Sequence, residues 1–271
     1  MPDPNERRQI LEHLHTLAVE DVVKLWRSVS GMDLESVAFR ALIVEAYPEI
    51  AAQWASVASE LAVAWYDESG PGLEYRAVPA SPAPPPQLVS SATWALGATG
   101  EAALDRLAGS LQRVVWAGAR DTIVQNAESE QGSRWARYAS STACAFCLVM
   151  ATRGGVYASR EAAETVAGRG KEMSLAERRA RARGESRISG RFIAGGVRTR
   201  REDGQKLGDK YHDRCRCIAV EVRPGGSYEP PSYVERWERQ YIDATKATTG
   251  QGDAINLNAV LAHMRSASSG H

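Results

Sequence analysis

The residues of this chain best suited to bind a metal ion are its four cysteines, which occur as two close pairs. Cys144 and Cys147 form a Cys-x-x-Cys pair, and 67 residues separate it from the Cys-x-Cys pair of Cys215 and Cys217. The first spacing lets two thiolates of one turn approach the same ion. His212 lies three residues before Cys215 and adds an imidazole. Five candidate donors are therefore available for a four-coordinate site.

Zinc is the ion that these donors favour, in a structural role. Thiolates with at most one imidazole are typical of a closed tetrahedral zinc site, which leaves no open position for catalysis. We predict Cys144, Cys147 and Cys217 as ligands, with Cys215 and His212 as alternatives for the fourth position. Two disulfides or four free thiols are the alternatives to a metal, but synthesis in the cytosol favours reduced cysteines.

Three segments around the cysteines match a known pattern. They read Arg-Tyr-Ala-Ser-Ser-Thr-Ala-Cys-Ala-Phe-Cys, Arg-Gly-Gly-Val-Tyr and Tyr-His-Asp-Arg-Cys-Arg-Cys-Ile-Ala-Val. With them, the chain resembles the MuF-like minor capsid (head morphogenesis) proteins of tailed phages, in particular those of actinobacterial phages. The resemblance is sharpest over residues 138–222, and the His-x-x-Cys-Arg-Cys ending is its most specific part. One departure is Asp213, which follows the histidine where the wider family commonly has proline.

The resemblance implies a viral structural protein that acts in head morphogenesis. Its expected partners are the portal protein and the inner capsid or scaffold, with packaged DNA as a further contact and with a role in DNA packaging or ejection. Its expected location is the capsid interior of the virion, after synthesis in the host cytoplasm. Two other functions fit the residues: a DNA-binding or nuclease-like effector delivered with the genome, and a zinc-module adaptor protein unrelated to phages.

The charges of the chain sum to zero but are unevenly distributed. Residues 1–130 contain 9 basic and 18 acidic residues, residues 131–217 contain 19 and 9, and residues 218–271 contain 5 and 6. This asymmetry indicates two surfaces with different partners, or the packing of one half on the other. No apolar run approaches the roughly 20 residues of a membrane span, and the N-terminus is polar, so we expect no membrane partner.

The basic region contains an arginine-rich insertion, residues 168–190, with a predicted helix from about Leu175 to Arg183. Its positive charge would suit DNA phosphate or an acidic protein surface, independently of sequence. The alternative is an exposed insertion whose charges are solvated. Its candidate binding residues are Arg169, Lys171, Arg178, Arg179, Arg181, Arg183 and Arg187.

The sequence lacks the usual motifs of an enzyme. It contains no phosphate-binding Gly-x-x-x-x-Gly-Lys-Ser/Thr, no His-Glu-x-x-His and no Gly-x-Ser-x-Gly. His212 beside Asp213 would serve a metal nuclease only if the metal kept an open coordination position. We therefore expect no enzymatic activity and no small-molecule substrate.

The elements that must position the cysteines indicate an α+β protein. Its parts are a helical N-terminal region, a small β-rich, zinc-stapled module and terminal helices. The predicted boundaries are 1–68 for the helical region, 69–97 for a proline-rich connector, 98–130 for a long connecting helix, 131–223 for the MuF-like Cys/His module and 224–271 for a helical tail.

Apolar residues at helical spacing predict the N-terminal helices. The first runs from Glu6 to Ser28, the second from a cap at Asp33 through Glu45, and the third starts near Pro48. The expected buried face of the third helix consists of Ile50, Trp54, Val57, Leu61 and Trp65.

In the Cys/His module we predict strands at 134–138, 148–158 and 215–222, a short helix from Ser159 through Ala167, and a hairpin around residues 194–196. The tail should form an amphipathic helix to about Lys246 and a short helix at 256–264. The first of these has an apolar face of Val234, Trp237, Tyr241 and Ile242, which would dock on its own domain or on a partner.

Overall fold

The architecture was obtained as a computed structural model. It describes residues 2–155, 157, 165–166, 174–183, 185, 187–189, 191–192, 205–206, 215–249 and 255–268, with the backbone alone at 165–166, 191–192, 205–206 and 267–268. The chain divides into a first unit, Met1–Gln125 with Tyr211–Ile218, and a second unit, Asn126–Lys210 with Ala219–His271. The predicted fold class is confirmed, since the described residues are mostly helical, with a small two-stranded sheet and terminal helices.

The first unit is built from α1 (Pro4–Ser28), α2 (Val37–Glu68), α3 (Pro85–Ala95) and most of α4 (Gly100–Ser129). Helix α1 begins at a capping box in which Asp3 and Glu6 satisfy each other's backbone N–H groups. Its buried apolar face consists of Leu11, Leu14, Ala18, Val22 and Trp26. Trp26 meets Phe39 of α2 edge to face, with ring centroids 5.0 Å apart.

Helix α2 is one continuous helix where two were predicted. It begins after Ser36, whose hydroxyl accepts from the N–H of Phe39, and Pro48 lies in its interior. Proline removes one helical hydrogen bond, but Ile43, Tyr47 and Ala51 are all buried at i, i+4 spacing on either side of it. Packing of this unbroken apolar stripe outweighs the local preference of proline for a helix start.

The buried face of α2 also differs from the predicted one. Val57 is 40% exposed, and the buried residues between positions 51 and 62 are four alanines and Ser59. These alanines are Ala51, Ala55, Ala58 and Ala62. The prediction is confirmed at Trp65 but missed the alanines, because it followed the largest apolar residues, whereas small residues let another helix backbone come close.

At Gly118, α4 comes close to the backbone of α2. A Cβ at this position would lie 2.5 Å from the carbonyl oxygen of Ala55 and 3.0 Å from the hydroxyl of Ser59, whereas a Cβ at Gly109 of the same helix would meet nothing within 4 Å. We expect Gly118→Ala to lower the free energy of unfolding by about 1–3 kcal/mol through overpacking. Gly109→Ala should raise it by about 0.5–1 kcal/mol, because alanine favours a helix more than glycine does. Urea unfolding of both variants checks this, and a stabilised Gly118→Ala would contradict the close packing.

Two further predicted segments lie in the first unit. The region 69–97 is partly helical: residues 70–84 contain no helix or strand, and α3 then starts at Pro85 and Pro86, where the missing N–H groups cost nothing. The long connecting helix is confirmed as α4, although it begins at Gly100. Its Thr122 accepts a hydrogen bond of 3.0 Å from the backbone N–H of Ala80, which ties the extended segment to the helix.

The second unit contains the strands. The predicted first strand is confirmed as β1 (Arg134–Tyr138), which pairs with β6 (Ile218–Val222) and bridges Tyr157 through Trp135. Two antiparallel pairs of short strands lie between them in sequence: β2 (Thr165–Val166) with β5 (Gln205–Lys206), and β3 (Arg187–Ile188) with β4 (Arg191–Phe192). All five residues of β6 are buried, so the strand does not present the exposed face that a surface strand would.

The strand predicted at 148–158 is wrong over its first half. Residues Ala145–Ala151 form helix α5, and every residue of this helix is buried. A short run that is apolar on all sides has no period that separates a buried strand from a buried helix. The predicted helix of residues 159–167 and the hairpin near 194–196 fall outside the described residues, apart from Thr165 and Val166, which are β2.

The terminal helices pack within the second unit. After α6 (Leu175–Ala182), which confirms the helix predicted in the insertion, come α7 (Tyr233–Thr248) and α8 (Leu257–Ser268). Helices α7 and α8 contact each other and α5, and the predicted face of α7 is buried. The tail therefore docks on its own unit. In the described part of the chain, no helix is both long and apolar enough to cross a membrane.

Candidate metal centre

Three of the four cysteines come together. The Sγ atoms of Cys147, Cys215 and Cys217 all lie within 4.8 Å of one another, and the three residues are buried. None of the four cysteines forms a disulfide. In a tetrahedral zinc site, Zn–S bonds of about 2.3 Å place the sulfurs about 3.8 Å apart. The three thiols therefore fit the requirements of a metal ion, and we call them the cysteine triad.

Cys147 is positioned by helix α5. The helix begins after Cys144, whose extended backbone (φ −67°, ψ 158°) makes it the N-cap residue. This turn places Cys147 inside the protein and leaves Cys144 exposed, outside the triad. Cys144 stays a predicted ligand that the structure does not bring to the other three, and His212 lies outside the described residues. Cys215, predicted only as an alternative, is part of the triad.

Cys215 and Cys217 are held by an arginine that sequence reasoning missed. Arg120 of α4 is 2% exposed, and its Nε and Nη2 atoms donate to the carbonyl oxygens of Cys217 and Cys215, each at 2.6 Å. Arg120 lies among the buried apolar residues of α4, three residues before Ile123. A basic residue among apolar ones at helical spacing was the signal for it.

Between these two cysteines, Arg216 points to the surface and interacts with α1. Its Nη1 atom lies 3.2 Å from Oε1 of Glu12, and its side chain is 61% exposed. An exposed pair of this kind contributes about 0–1 kcal/mol.

The imidazole of His15 on α1 donates from Nε2–H to the carbonyl oxygen of Ala108 at 3.2 Å. Burial lowers the pKa of His15, the hydrogen bond to Ala108 opposes this, and the charge of Arg216 lowers the pKa further.

His15 should therefore make the protein sensitive to acid. Because its pKa is lower in the folded than in the unfolded state, the unfolded state binds more protons as the pH falls through the normal value of about 6.5. The contribution of His15 to the free energy of unfolding is therefore present above this pH and is lost as the pH falls below it. We expect His15→Asn to lose less free energy of unfolding between pH 7.5 and 5 than the unsubstituted protein does. The exposed His13 of the same helix is the control, and an equal effect of His13→Asn would refute the assignment to His15.

The arginine-rich insertion is partly used inside the protein. Nη1 of Arg178 in α6 lies 3.1 Å from Oε2 of Glu238, which is buried, and 3.8 Å from Oε1 of Glu235, which is exposed. Both glutamates are on α7. Arg183 pairs with Glu185 at 2.7 Å. These arginines are therefore neutralised by the second unit itself. Of the other predicted binding residues, Arg179 and Arg187 are exposed, Arg181 is half-buried, and Arg169 and Lys171 lie outside the described residues.

Helix α6 also forms one wall of a cleft of about 780 Å³ in the second unit. The lining also includes residues 227–232 and residues of α7. Arginine and glutamate side chains both line the cleft, so the described lining is of mixed charge.

Comparison with protein families matched the chain to the VG15 protein over residues 2–244. The search of curated proteins gave no match, and the search of solved structures gave none. The matched residues include most of both units and the whole cysteine triad. The chain therefore belongs to the VG15 protein family, a family of phage proteins.

Proposed function

We propose that this chain is a structural minor capsid protein of a tailed phage, of the MuF-like type, which acts in head morphogenesis. The observation that carries the proposal is the cysteine triad in a phage protein. The segments that resemble MuF-like proteins contain Cys147, Cys215 and Cys217, and these are the residues whose thiols come together. The resemblance therefore coincides with a physical feature of the fold.

The triad serves this function as a structural zinc site. Cys147, Cys215 and Cys217 would hold the ion, with His212, one of the two predicted alternatives for the fourth position, as the fourth ligand. Bound zinc would supply cross-linking between segments distant in sequence, which contributes directly to folding free energy. Soft, buried thiolates favour zinc over magnesium or calcium. A closed site of this kind leaves no position for a substrate, so the proposed role is not enzymatic.

The proposed partners are the portal protein and the inner capsid or scaffold. The excess of acidic residues in the N-terminal half and of basic residues in the Cys/His module gives the chain two electrostatically different regions. Arg179 and Arg187 are exposed, and in this proposal they contact packaged DNA. In this proposal the protein is made in the host cytoplasm and resides in the capsid interior.

The test uses particles of the phage that encodes the chain. If the proposal is right, the protein is present in purified heads and co-purifies with the portal when heads are disrupted. A Cys217→Ser version should reduce the yield of filled heads, whereas a Cys144→Ser version keeps it. Absence of the protein from heads together with phosphodiesterase activity of the purified chain would favour the genome-delivered effector. Absence from heads without such activity would favour the zinc-module adaptor.

A further inference from the structure

A buried arginine of the first unit contacts the backbone of two triad residues. Arg120 donates from Nε to the carbonyl of Cys217 and from Nη2 to the carbonyl of Cys215, at 2.6 Å in both cases. The two carbonyls belong to the residues on either side of Arg216, so one planar guanidinium group contacts both ends of the Cys-Arg-Cys segment. Its guanidinium also lies over the ring of Trp116, 5.4 Å from the centroid, which fixes it from a third direction.

The two hydrogen bonds from Arg120 restrict the backbone of the Cys-Arg-Cys segment more than a single hydrogen bond would. Two charge-assisted hydrogen bonds from one rigid fork fix both the distance between the carbonyls and their common direction. The bonds are buried, so water does not compete for the acceptors. Arg120 and Trp116 lie on the same helix, α4, which gives the fork a stiff support. The positions of the Cys215 and Cys217 backbones are thereby set by α4.

From this arrangement we infer that Arg120 is a positioning residue for metal binding: it holds the Cys215–Cys217 segment in the conformation that directs both thiols to one ion. This role rests on the proposed metal site. The backbone carbonyls, and not the thiols, accept these hydrogen bonds. Residues that orient metal ligands from the next layer typically change metal affinity by about 10–100-fold when replaced.

The test compares the full chain with two variants of Arg120 and one of Arg7. Arg120→Met removes both hydrogen bonds, and Arg120→Lys keeps the charge but not the fork. Arg7 is a matched control, because it is also buried in the first unit and lies over an aromatic ring, that of Trp65, at 5.3 Å. Cobalt(II) is the probe, since its thiolate charge-transfer bands and visible spectrum report both the affinity and the geometry of a tetrahedral site.

We expect Arg120→Met to bind cobalt about 10–100-fold more weakly than the unsubstituted chain, with a changed visible spectrum, and Arg120→Lys to be intermediate. Arg7→Met should keep the affinity and the spectrum even if its melting temperature falls. In the metal-free chain, amides of residues 215–220 should exchange faster in the Arg120 variants than in Arg7→Met. If Arg120→Met does not fold, Arg120→Lys alone decides.

Two results would overturn the inference, and they differ. Cobalt binding by both Arg120 variants with unchanged affinity and spectrum would leave the metal site standing and remove the role of Arg120. An unsubstituted chain that binds no cobalt would remove the proposed metal site, and the positioning role with it.

Discussion

Cys217→Ser should abolish tight metal binding and, with it, the stabilisation that the metal provides. Cys217 is 3% exposed, and its thiol belongs to the cysteine triad. Loss of one of three buried thiolates leaves two sulfur donors, too few for a closed site of this type. A metal present at about 1,000 times its dissociation constant stabilises the folded state by about 4 kcal/mol. We expect the variant to lack that increment.

The measurement is thermal unfolding with and without a strong chelator, combined with native mass spectrometry. The unsubstituted protein should retain about one zinc ion per chain, by the stoichiometry of a four-coordinate site, and should melt at a lower temperature after chelation. Cys217→Ser should retain no ion, and its melting temperature should not respond to the chelator. Equal chelator sensitivity of the two proteins would refute the triad as the metal site.

Cys144→Ser is the matched control. Cys144 forms the Cys-x-x-Cys pair with Cys147, but it is exposed and lies outside the triad. From its position in the structure, its replacement should leave the bound ion in place. Loss of the ion in this variant as well would make Cys144 a ligand, as the spacing of the sequence predicts, and would require the turn before α5 to move when metal binds.

The sequence was most informative where periodicity was long. Helices α1 and α4 and the apolar face of α7 were predictable, because many residues repeat the same 3.6-residue period. Strand β1 followed from its short alternating pattern. The meeting of the two cysteine clusters was also predictable, since two close cysteine pairs in one chain are typical of a shared site.

The errors have identifiable physical causes. Pro48 lies within α2 because long-range packing on both sides of it outweighs a local signal. Helix α5 was taken for a strand because its seven residues are all buried, which erases the periodicity. Arg120 was missed because the carbonyl groups that it contacts are about 95 residues away in sequence. Its place among apolar residues of a helix indicates that it is buried, but no local pattern identifies such a partner.

The second large effect is expected from the second unit, at a buried ion pair. Arg223 donates from Nε to Oε2 of Glu130 at 2.9 Å and from Nη2 to Oε1 at 2.7 Å, and the side chains are 1% and 7% exposed. The hydroxyl of Ser133 also donates to Oε2 of Glu130. The pair thereby links the end of α4 to the residue that follows β6.

Arg223→Met should lower the free energy of unfolding by about 3–5 kcal/mol, because it leaves the carboxylate of Glu130 buried without its cation. Urea unfolding followed by circular dichroism measures the change. Arg183→Met is the matched control, because Arg183 pairs with Glu185 at the surface, with side chains 57% and 44% exposed. An exposed pair of this kind should contribute only about 0–1 kcal/mol.

Glu130→Leu combined with Arg223→Met separates the two possible sources of this effect. If the loss comes from an uncompensated buried charge, the double variant should recover most of the stability that Arg223→Met loses, since two apolar side chains replace both charges. If the ion pair itself supplies the stability, the double variant should be at least as unstable as the single one. If the double variant recovers this stability, the ion pair adds little to the net stability of the second unit. Its role is then to determine how the end of α4 meets β6.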